Sequence, residues 1–213
     1  MMDKGRLIVI SAPSGCGKGT ILGRVFADSD VYYSVSCTTR APREGEQNGR
    51  EYIFLSVDEF EKMIADDGFL EYAKFAENYY GTPRKAAEDN LAEGRDVILE
   101  IETQGAFQIK EKKPEAVMIF ILPPSIEELR RRLLKRGTET AEVIDKRVSQ
   151  AAGEIEKAYN YDFVIMNDDL DTAVADFETV INSISDPAVD AQAHRADNEQ
   201  VKKMIREVLE NDA

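Results

Sequence analysis

The stretch S-A-P-S-G-C-G-K-G-T, from Ser11 to Thr20, follows the apolar run at residues 7–10 and precedes a helix-like segment. A strand, a loop of small residues, a lysine and a helix start form a phosphate-binding loop, in which loop N–H groups, a helix N-terminus and a lysine face an anion. Two positions depart from the usual pattern. Ala12 replaces the opening glycine, and Gly19 replaces the usual serine or threonine after Lys18, with Thr20 next. We predict that the chain binds a nucleoside triphosphate.

Apolar, β-branched segments recur at residues 7–10, 97–101, 117–122 and 163–166, and helix-like segments separate them. Strands that alternate with helices form a parallel sheet covered by helices on both faces. We therefore predict a three-layer α/β fold. Its first strand leads directly into the phosphate-binding loop, so the nucleotide is expected beyond the carboxyl ends of the strands.

The segment from about residue 32 to residue 83 has a different sequence pattern from the rest of the predicted sheet. Short β-like stretches at 33–38 and 51–55 are separated by turns that contain Gly45 and Gly49. This pattern predicts a small mixed α/β insertion, partly antiparallel, with a helix near residues 57–66.

Two helices joined by a short turn are predicted between about residues 125 and 158. Ser125, with Glu128 three residues later, is typical of a capping box at the start of the first helix. That helix carries an apolar stripe and an arginine face, formed by Leu129 with Leu133 and by Arg132 with Arg136. The pair has the pattern of a movable helical lid.

The C-terminal part changes character again. Residues 185–198 are rich in Ala, Asp and Gln and predict a linker, and an amphipathic helix follows. Its apolar residues are spaced at helical intervals and are Val201, Met204, Ile205, Val208 and Leu209. Two roles are open for this helix: docking on its own domain, or a contact in a homo-oligomer.

Composition narrows the function classes. The net charge of −14 over 213 residues argues against a nucleic-acid-binding protein, which would carry a broad basic face. The arginines are nevertheless bunched, which indicates small anionic ligands, although Arg130 and Arg131 could equally form a solvated helix face. No apolar run approaches the roughly 20 residues of a membrane span, and no signal-peptide core is apparent. Two cysteines cannot form a disulfide framework, so we expect a cytoplasmic protein.

A second, phosphorylated substrate is indicated within the insertion. Arg40 and Arg43 offer two guanidinium groups to a phosphate monoester, and Tyr52 and Tyr80 can add phenolic donors. Glu71 lies among apolar neighbours, where a buried carboxylate would need partners, although taken alone it could be a surface helix residue.

Glu100 and Glu102 end an apolar strand-like run, and we expect both carboxylates on one face of that strand. Guanine supplies the donors that such carboxylates need, on N1 and on the exocyclic amine. Adenine has no N1–H, so a site built this way should reject it.

Nine segments in order resemble the guanylate kinase family and cover roughly residues 7–184. They are S-A-P-S-G-C-G-K, S-V-S-C-T-T-R-A-P-R-E-G-E, G-R-E-Y-I-F, F-L-E-Y-A, N-Y-Y-G-T, I-L-E-I-E-T-Q-G-A, I-F-I-L-P-P-S, R-R-L-L-K-R-G-T-E and N-D-D-L. The resemblance implies phosphoryl transfer from ATP, with Mg²⁺, to GMP and dGMP. It also implies a guanylate kinase-like domain at 5–184, with a core at 5–31 and 84–184, a GMP-binding region at about 32–83 and a lid at about 125–158. Residues 185–213 then form the linker and the terminal helix.

The same resemblance assigns the site residues. The ATP phosphates are expected on the loop residues Ala12, Pro13, Ser14, Gly15, Cys16, Gly17, Lys18, Gly19 and Thr20, and the adenine near Asn167 and Asp168. The GMP phosphate is expected on Arg40, Arg43, Tyr52 and Tyr80, and the guanine on Ser36, Glu71, Thr82 and Glu102. Charge on the transferring group is expected to be neutralised by Lys18, Arg43, Arg132, Arg136 and Arg147.

Two residues depart from the family pattern. Gly19 has no hydroxyl for a metal, so we expect Mg²⁺ to be held through phosphates, water and Glu100, the last through a water molecule. Two roles remain open for Thr20: a hydrogen bond to a phosphate, or direct coordination of the metal. Glu102 stands where aspartate is usual, so its longer side chain must reach guanine differently.

Two other functions compete with this interpretation. A kinase for another phosphorylated acceptor, such as a ribose bisphosphate, would use the same phosphate loop, but the base-recognition set argues against it. Guanylate kinase-like domains that bind proteins without catalysis typically have eroded loops, whereas Gly17 and Lys18 are intact here. Turnover with ATP separates the classes.

Overall fold

The computed structural model describes residues 4–75, 77–136 and 140–210, without the side chains of Phe75 and Arg136. Residues 137–139 of the predicted lid therefore lie outside the described part. The chain divides into two compact units. The first contains the described residues up to Val9 and Asp30–Val117, and the second contains Ile10–Ser29 and the described residues from Met118 onward.

Nine strands are formed by the described residues. In chain order they are β1 (Leu7–Ser11), β2 (Tyr32–Tyr33), β3 (Cys37–Thr38), β4 (Ile53–Phe54), β5 (Phe69–Phe75), β6 (Asn78–Pro83), β7 (Val97–Glu100), β8 (Val117–Leu122) and β9 (Phe163–Met166). One sheet has the order β2-β7-β1-β8-β9, and the other has the order β4-β3-β6-β5.

The first sheet contains the four strands that the apolar segments predict. β1 is buried along its whole length, and β8 is buried except at Val117, as expected for strands covered on both faces. β2 pairs with β7 in parallel, and β8 pairs with β9 in parallel, with Ile119 opposite Phe163. The predicted parallel arrangement is therefore confirmed.

The second sheet, in the first unit, is mixed, as predicted. β3 pairs with β4 in parallel, whereas β6 pairs antiparallel with both β3 and β5. Phe69 of β5 and Tyr79 of β6 stack on the ring of Phe60, with ring centroids 4.3 Å and 5.1 Å away. The single stretch expected at 33–38 is split, because β2 joins the first sheet and β3 joins the second.

Eight α-helices lie within the described ranges. They are α1 (Lys18–Val25), α2 (Val57–Ala65), α3 (Arg84–Ala92), α4 (Thr103–Lys112), α5 (Ile126–Arg136), α6 (Ala141–Glu156), α7 (Leu170–Ser185) and α8 (Glu199–Glu210). Ser125 accepts a hydrogen bond from the Glu128 N–H at 3.0 Å, and Leu129 and Leu133 are buried, so the predicted start and stripe of α5 are confirmed. Of the helices that the structure describes, none combines the length and apolar character needed to cross a membrane.

One expectation about the acidic pair is wrong. β7 ends at Glu100, and Glu102 is the residue that immediately precedes α4. The two carboxylates therefore do not share one face of a strand. The chain leaves the strand because α4 starts at Thr103, and Glu102 is exposed at that junction.

The segment after α7 packs within the second unit. Ala196 N–H donates to the Asp162 carbonyl oxygen at 3.2 Å, and the Arg195 guanidinium lies 5.4 Å from the centre of the Phe163 ring. In α8 the apolar residues Val201, Ile205 and Val208 are buried. The helix therefore docks on its own chain, and the subunit contact stays a prediction.

Candidate active site

The phosphate-binding loop of the second unit leads into α1. Gly15 and Gly17 have φ angles of 88° and 87°, a conformation that glycine adopts without strain and other residues rarely adopt. α1 begins at Lys18, and the first N–H groups of a helix have no intrahelical acceptor. A curved backbone that ends at a helix N-terminus beside a lysine fits a chain of phosphates.

Asn167 fastens this loop from the side. It is only 5% exposed, and its Nδ2 donates to the Cys16 carbonyl oxygen at 2.6 Å. Its own N–H donates to the Leu122 carbonyl oxygen at 2.8 Å, at the end of β8. A Cβ atom on residue 17 would lie 2.6 Å from Nδ2, so Gly17 permits this contact as well as the turn. Asn167 thus shapes the loop, whereas its predicted proximity to adenine stays a prediction.

The other loop residues divide into buried and accessible ones. Ala12, Pro13 and Cys16 are buried, and the Cys16 thiol donates to the Ile121 carbonyl oxygen at 3.5 Å. Burial raises the pKa of Cys16 to about 12, so the thiol is neutral near pH 7. Gly19 and Thr20 are exposed at the start of α1 and are accessible to a ligand, as is Asp168 beyond β9.

Glu128 organises the arginines of α5. Its carboxylate accepts from Arg131 Nε at 2.6 Å and from Arg132 Nε at 2.8 Å, and these two guanidinium groups lower the pKa of Glu128 to about 2. The other end of the Arg132 guanidinium donates to the main-chain carbonyl oxygen of Asn167 at 3.0 Å. Arg132 is therefore held beside the residue that fastens the phosphate loop.

The remaining arginines of the predicted lid differ in their contacts. Arg147, on α6, donates to the Ser14 hydroxyl in the phosphate loop, so it is within reach of that loop. Arg130 forms an ion pair with Asp145 at the surface, and Arg131 forms one with Glu128. These pairs favour the interpretation that Arg130 and Arg131 belong to a solvated helix face. The side chain of Arg136 lies outside the described part.

In the first unit, three of the four residues predicted to bind the GMP phosphate lie together. The Arg40 guanidinium lies 5.4 Å from the centre of the Tyr52 ring, and the Tyr52 and Tyr80 ring centroids are 5.9 Å apart. Glu46 fixes the loop, because its carboxylate accepts from the Arg40 guanidinium at 2.9 Å and from the Arg43 N–H at 2.7 Å. The Arg43 side chain is exposed. This set of cationic and phenolic donors suits a phosphate monoester.

Glu71 is a buried carboxylate on β5, and not a surface helix residue. It is 4% exposed, it pairs with Thr82 across β5 and β6, and its Oε1 accepts from the Thr82 hydroxyl at 2.6 Å. Burial raises the pKa of Glu71, an effect that the hydrogen bonds from Thr82 and the charge of Lys112 partly offset. A carboxylate has about four acceptor positions, so this group retains capacity for further donors.

Two further residues predicted for the site, Ser36 and Glu100, lie at the ends of strands. Tyr33 donates its hydroxyl to Glu100. Burial, followed by the charges of Tyr80 and Glu100, raises the pKa of Tyr52. Ser36 directly precedes β3, where its carbonyl oxygen accepts from the Ile53 N–H at 2.9 Å. Glu100 and Thr20 each carry an oxygen atom of the kind that Mg²⁺ prefers, and their roles toward the metal stay predictions.

Known proteins match almost the whole of this chain. The guanylate kinase family model matches residues 4–184. The chain belongs to the guanylate kinase family. A guanylate kinase of Latilactobacillus sakei is 52% identical over 185 residues, which are 86% of this chain and 91% of that protein. A guanylate kinase of Oceanobacillus iheyensis is 43% identical over 210 residues, 98% of this chain and 97% of that protein. A crystal structure of guanylate kinase from Anaplasma phagocytophilum is 34% identical, covers 88% of this chain and 89% of that chain, and has a TM-score of 0.72.

Membership of the guanylate kinase family confirms three predictions. The family inferred from nine sequence segments is the family found. Guanylate kinases are ATP:GMP phosphotransferases, so the enzyme class is the predicted one. The α/β fold, with its parallel sheet flanked by helices, matches a solved guanylate kinase.

Three residues that shape the candidate site were not predicted from the sequence. The Glu46 carboxylate joins the Arg40 guanidinium to the backbone N–H of Arg43. The sequence signal for this contact is the position of Glu46 directly after Gly45, a turn residue with a φ angle of 84°. Tyr33 bonds Glu100, and Gln108 bonds the backbone of β5 next to Glu71. Neither of these last two contacts has a local sequence signal, because each joins residues more than 30 positions apart.

Proposed function

We propose that the chain transfers the γ-phosphoryl group of ATP, taken up as MgATP, to GMP and dGMP. The products are ADP and GDP or dGDP, and the enzyme recycles GMP in purine nucleotide metabolism. The observation that carries the choice of acceptor is the buried Glu71 carboxylate with its Thr82 partner.

Guanine is the base that satisfies Glu71. Burial of a carboxylate is costly unless donors meet it, and guanine presents N1–H and an amino group along one edge. Adenine presents no N1–H, so binding AMP would leave the carboxylate short of donors. Thr82 holds one Glu71 oxygen, and Ser36 and Glu102 are proposed to complete recognition of the base. Glu102, exposed at the start of α4, reaches guanine with a longer side chain than aspartate.

The GMP phosphate is proposed to bind Arg40, Arg43, Tyr52 and Tyr80. Glu46 and the Tyr52 ring hold the Arg40 guanidinium in place before any ligand binds, which lowers the entropy lost on binding. Arg43 has an exposed side chain that is available to turn onto the phosphate.

ATP is proposed to bind along the loop from Ala12 to Thr20, with its adenine near Asn167 and Asp168. The left-handed Gly15 and Gly17 and the start of α1 supply N–H groups, and Lys18 supplies a positive charge. Mg²⁺ neutralises phosphate charge when bound. It would be held by the phosphates, by water and, through water, by Glu100, with Thr20 available to a phosphate or to the metal.

Catalysis requires positioning and charge neutralisation more than a strong base. Lys18 and Arg43 are proposed to bind the reacting phosphates. Arg132, Arg136 and Arg147 are proposed to neutralise charge on the transferring group. Arg132 is positioned by Glu128 and Asn167, and Arg147 already contacts Ser14 of the loop. Because Arg132 and Arg147 are held by these contacts before reaction, little reorganisation of the two is needed in the transition state.

We further propose a domain at 5–184, with a core at 5–31 and 84–184, a GMP-binding region at about 32–83 and a lid at about 125–158. Residues 185–213 would add the terminal segment and helix. A cytoplasmic location is supported by the free, buried thiols of Cys16 and Cys37. A homo-oligomer contact through α8 is also proposed.

Product analysis tests this proposal. The purified chain is incubated with MgATP and with GMP, dGMP or ribose 1,5-bisphosphate, and products are separated by anion-exchange chromatography. Equal amounts of ADP and GDP, with dGDP from dGMP, are expected. Phosphorylation of the ribose bisphosphate alone would overturn the assignment of the acceptor, and GMP binding without ADP release would show a binding module.

A further inference from the structure

Gly105 lies in the first turn of α4, directly against the Glu71 carboxylate. It is buried, and a Cβ atom at this position would lie 2.9 Å from Cδ of Glu71 and closer still to Oε2. Distances below about 3 Å to a carbon are not tolerated in packed proteins, so any side chain at 105 would displace the carboxylate.

α4 cannot easily move away from this contact, because it is tied to β5 on both sides of Glu71. Gln108 Nε2 donates to the Tyr72 carbonyl oxygen at 2.8 Å, and Lys112 Nζ donates to the Leu70 carbonyl oxygen at 2.8 Å. Gly105, Gln108 and Lys112 are spaced by three and four residues, so they lie along one face of the helix. That face is the one that meets β5.

Glu71 is the more mobile partner, but its position is also determined. The atoms that a Cβ at residue 105 would meet are the flexible end of the Glu71 side chain, but Oε1 is held by the Thr82 hydroxyl at 2.6 Å. Avoiding a Cβ at 105 would therefore shift the carboxylate away from Thr82. A side chain at residue 105 would therefore change the direction of the Glu71 carboxylate more than the packing of the first unit.

We propose that Gly105 is a specificity-determining residue, whose missing side chain makes the space in which Glu71 presents its carboxylate to the guanine base. The inference rests on the proposed function, in which Glu71 accepts from guanine. It adds that the base preference depends on a residue that touches no substrate and acts through Glu71.

A double-mutant cycle of Gly105→Ala and Glu71→Ala tests the inference, with KM for GMP and for ATP measured in each variant. A charge-assisted hydrogen bond lost from the base corresponds to about a 10- to 100-fold rise in KM for GMP. We expect this rise in Gly105→Ala, with KM for ATP unchanged within about twofold. In the Glu71→Ala background, where the space is empty, Gly105→Ala should change KM for GMP by less than about twofold.

Gly23→Ala is the matched control, because Gly23 is also helical and a Cβ there would meet nothing within 4 Å. It should leave both KM values unchanged. Wild-type KM for GMP in Gly105→Ala, or the same rise in both backgrounds, would overturn the inference while leaving the function intact. An unchanged KM in Glu71→Ala would instead overturn the proposed role of Glu71. If Gly105→Ala alone fails to fold, a folded double variant supports the inference and an unfolded one overturns it.

Discussion

Replacement of Asn167 by alanine should weaken ATP binding, because this side chain holds the phosphate loop. The substitution removes the amide that donates to the Cys16 carbonyl oxygen at 2.6 Å in a buried setting. It leaves the bond from Arg132 in place, since that bond ends on the main-chain oxygen of Asn167. The effect therefore isolates the loop contact from the positioning of the arginine.

The size of the effect follows from the Cys16 carbonyl oxygen, which loses its hydrogen-bond donor in the Asn167→Ala variant. A buried acceptor left without a donor costs about 1–3 kcal/mol. If the loop keeps its shape, this cost appears as lost folding stability. If the loop instead turns the Cys16 carbonyl toward water, the cost appears when ATP restores the original shape, as about a 5- to 150-fold rise in the Kd for ATP.

Two measurements on the same variant cover both cases. Urea unfolding gives the change in stability, and titration calorimetry gives the Kd for ATP. Asn160→Ala is the control, since Asn160 is exposed and its Nδ2 makes only a 3.4 Å contact with the Lys157 carbonyl oxygen. The control should change stability by less than about 0.5 kcal/mol. An Asn167→Ala protein with wild-type stability and wild-type ATP affinity would refute the reasoning.

Three further outcomes are expected. First, burial raises the pKa of Glu71 and guanine needs its ionised form, so affinity for GMP should fall as pH is lowered, beginning at a higher pH than for an ordinary carboxyl. Titrations of GMP from pH 8 to pH 5 measure this, and affinity that stays constant or rises toward low pH would contradict it. Second, Arg147→Lys should lower kcat about 100-fold, because a lysine cannot reproduce the guanidinium geometry. Arg131→Lys, which changes only a surface ion pair with Glu128, should leave kcat unchanged in the same assay, and equal losses would contradict the distinction. Third, burial raises the pKa of Cys16 to about 12 and that of Cys37 to about 11, so iodoacetamide at pH 7 should leave both thiols unmodified in the folded enzyme. Mass spectrometry measures the outcome, and rapid alkylation without unfolding would contradict it.

The features predictable from sequence are those with local signals. An apolar run followed by small residues and a lysine marks β1, the phosphate loop and α1, because burial, turn conformation and helix start are each encoded within a few positions. Ser125 with Glu128, and Leu129 with Leu133, predict the start and buried face of α5 for the same reason. The hydrophobic periodicity does not indicate the substrate. The resemblance of nine segments, in order, to the guanylate kinase family predicts it.

The contacts that escaped prediction join distant parts of the sequence. Asn167 meets Cys16 across 151 positions, and nothing local in N-D-D-L indicates a loop-fastening amide. The run V-I-L-E-I-E predicts a strand as far as Glu102, but β7 ends at Glu100 because α4 starts at Thr103. The segment after α7 reads as a linker by composition, yet Ala191 and Ala196 are buried, because small residues can pack closely against the rest of the unit.

The central claim is that a buried carboxylate selects guanine for phosphorylation. The most direct test is kcat/KM, measured by coupled ADP release, for GMP, IMP and AMP as separate acceptors. IMP keeps N1–H and lacks the amino group, and AMP lacks N1–H. We expect GMP to be the best acceptor, IMP to be intermediate, and AMP to be worse than GMP by about 10⁴-fold. Comparable values for GMP and AMP would contradict the account.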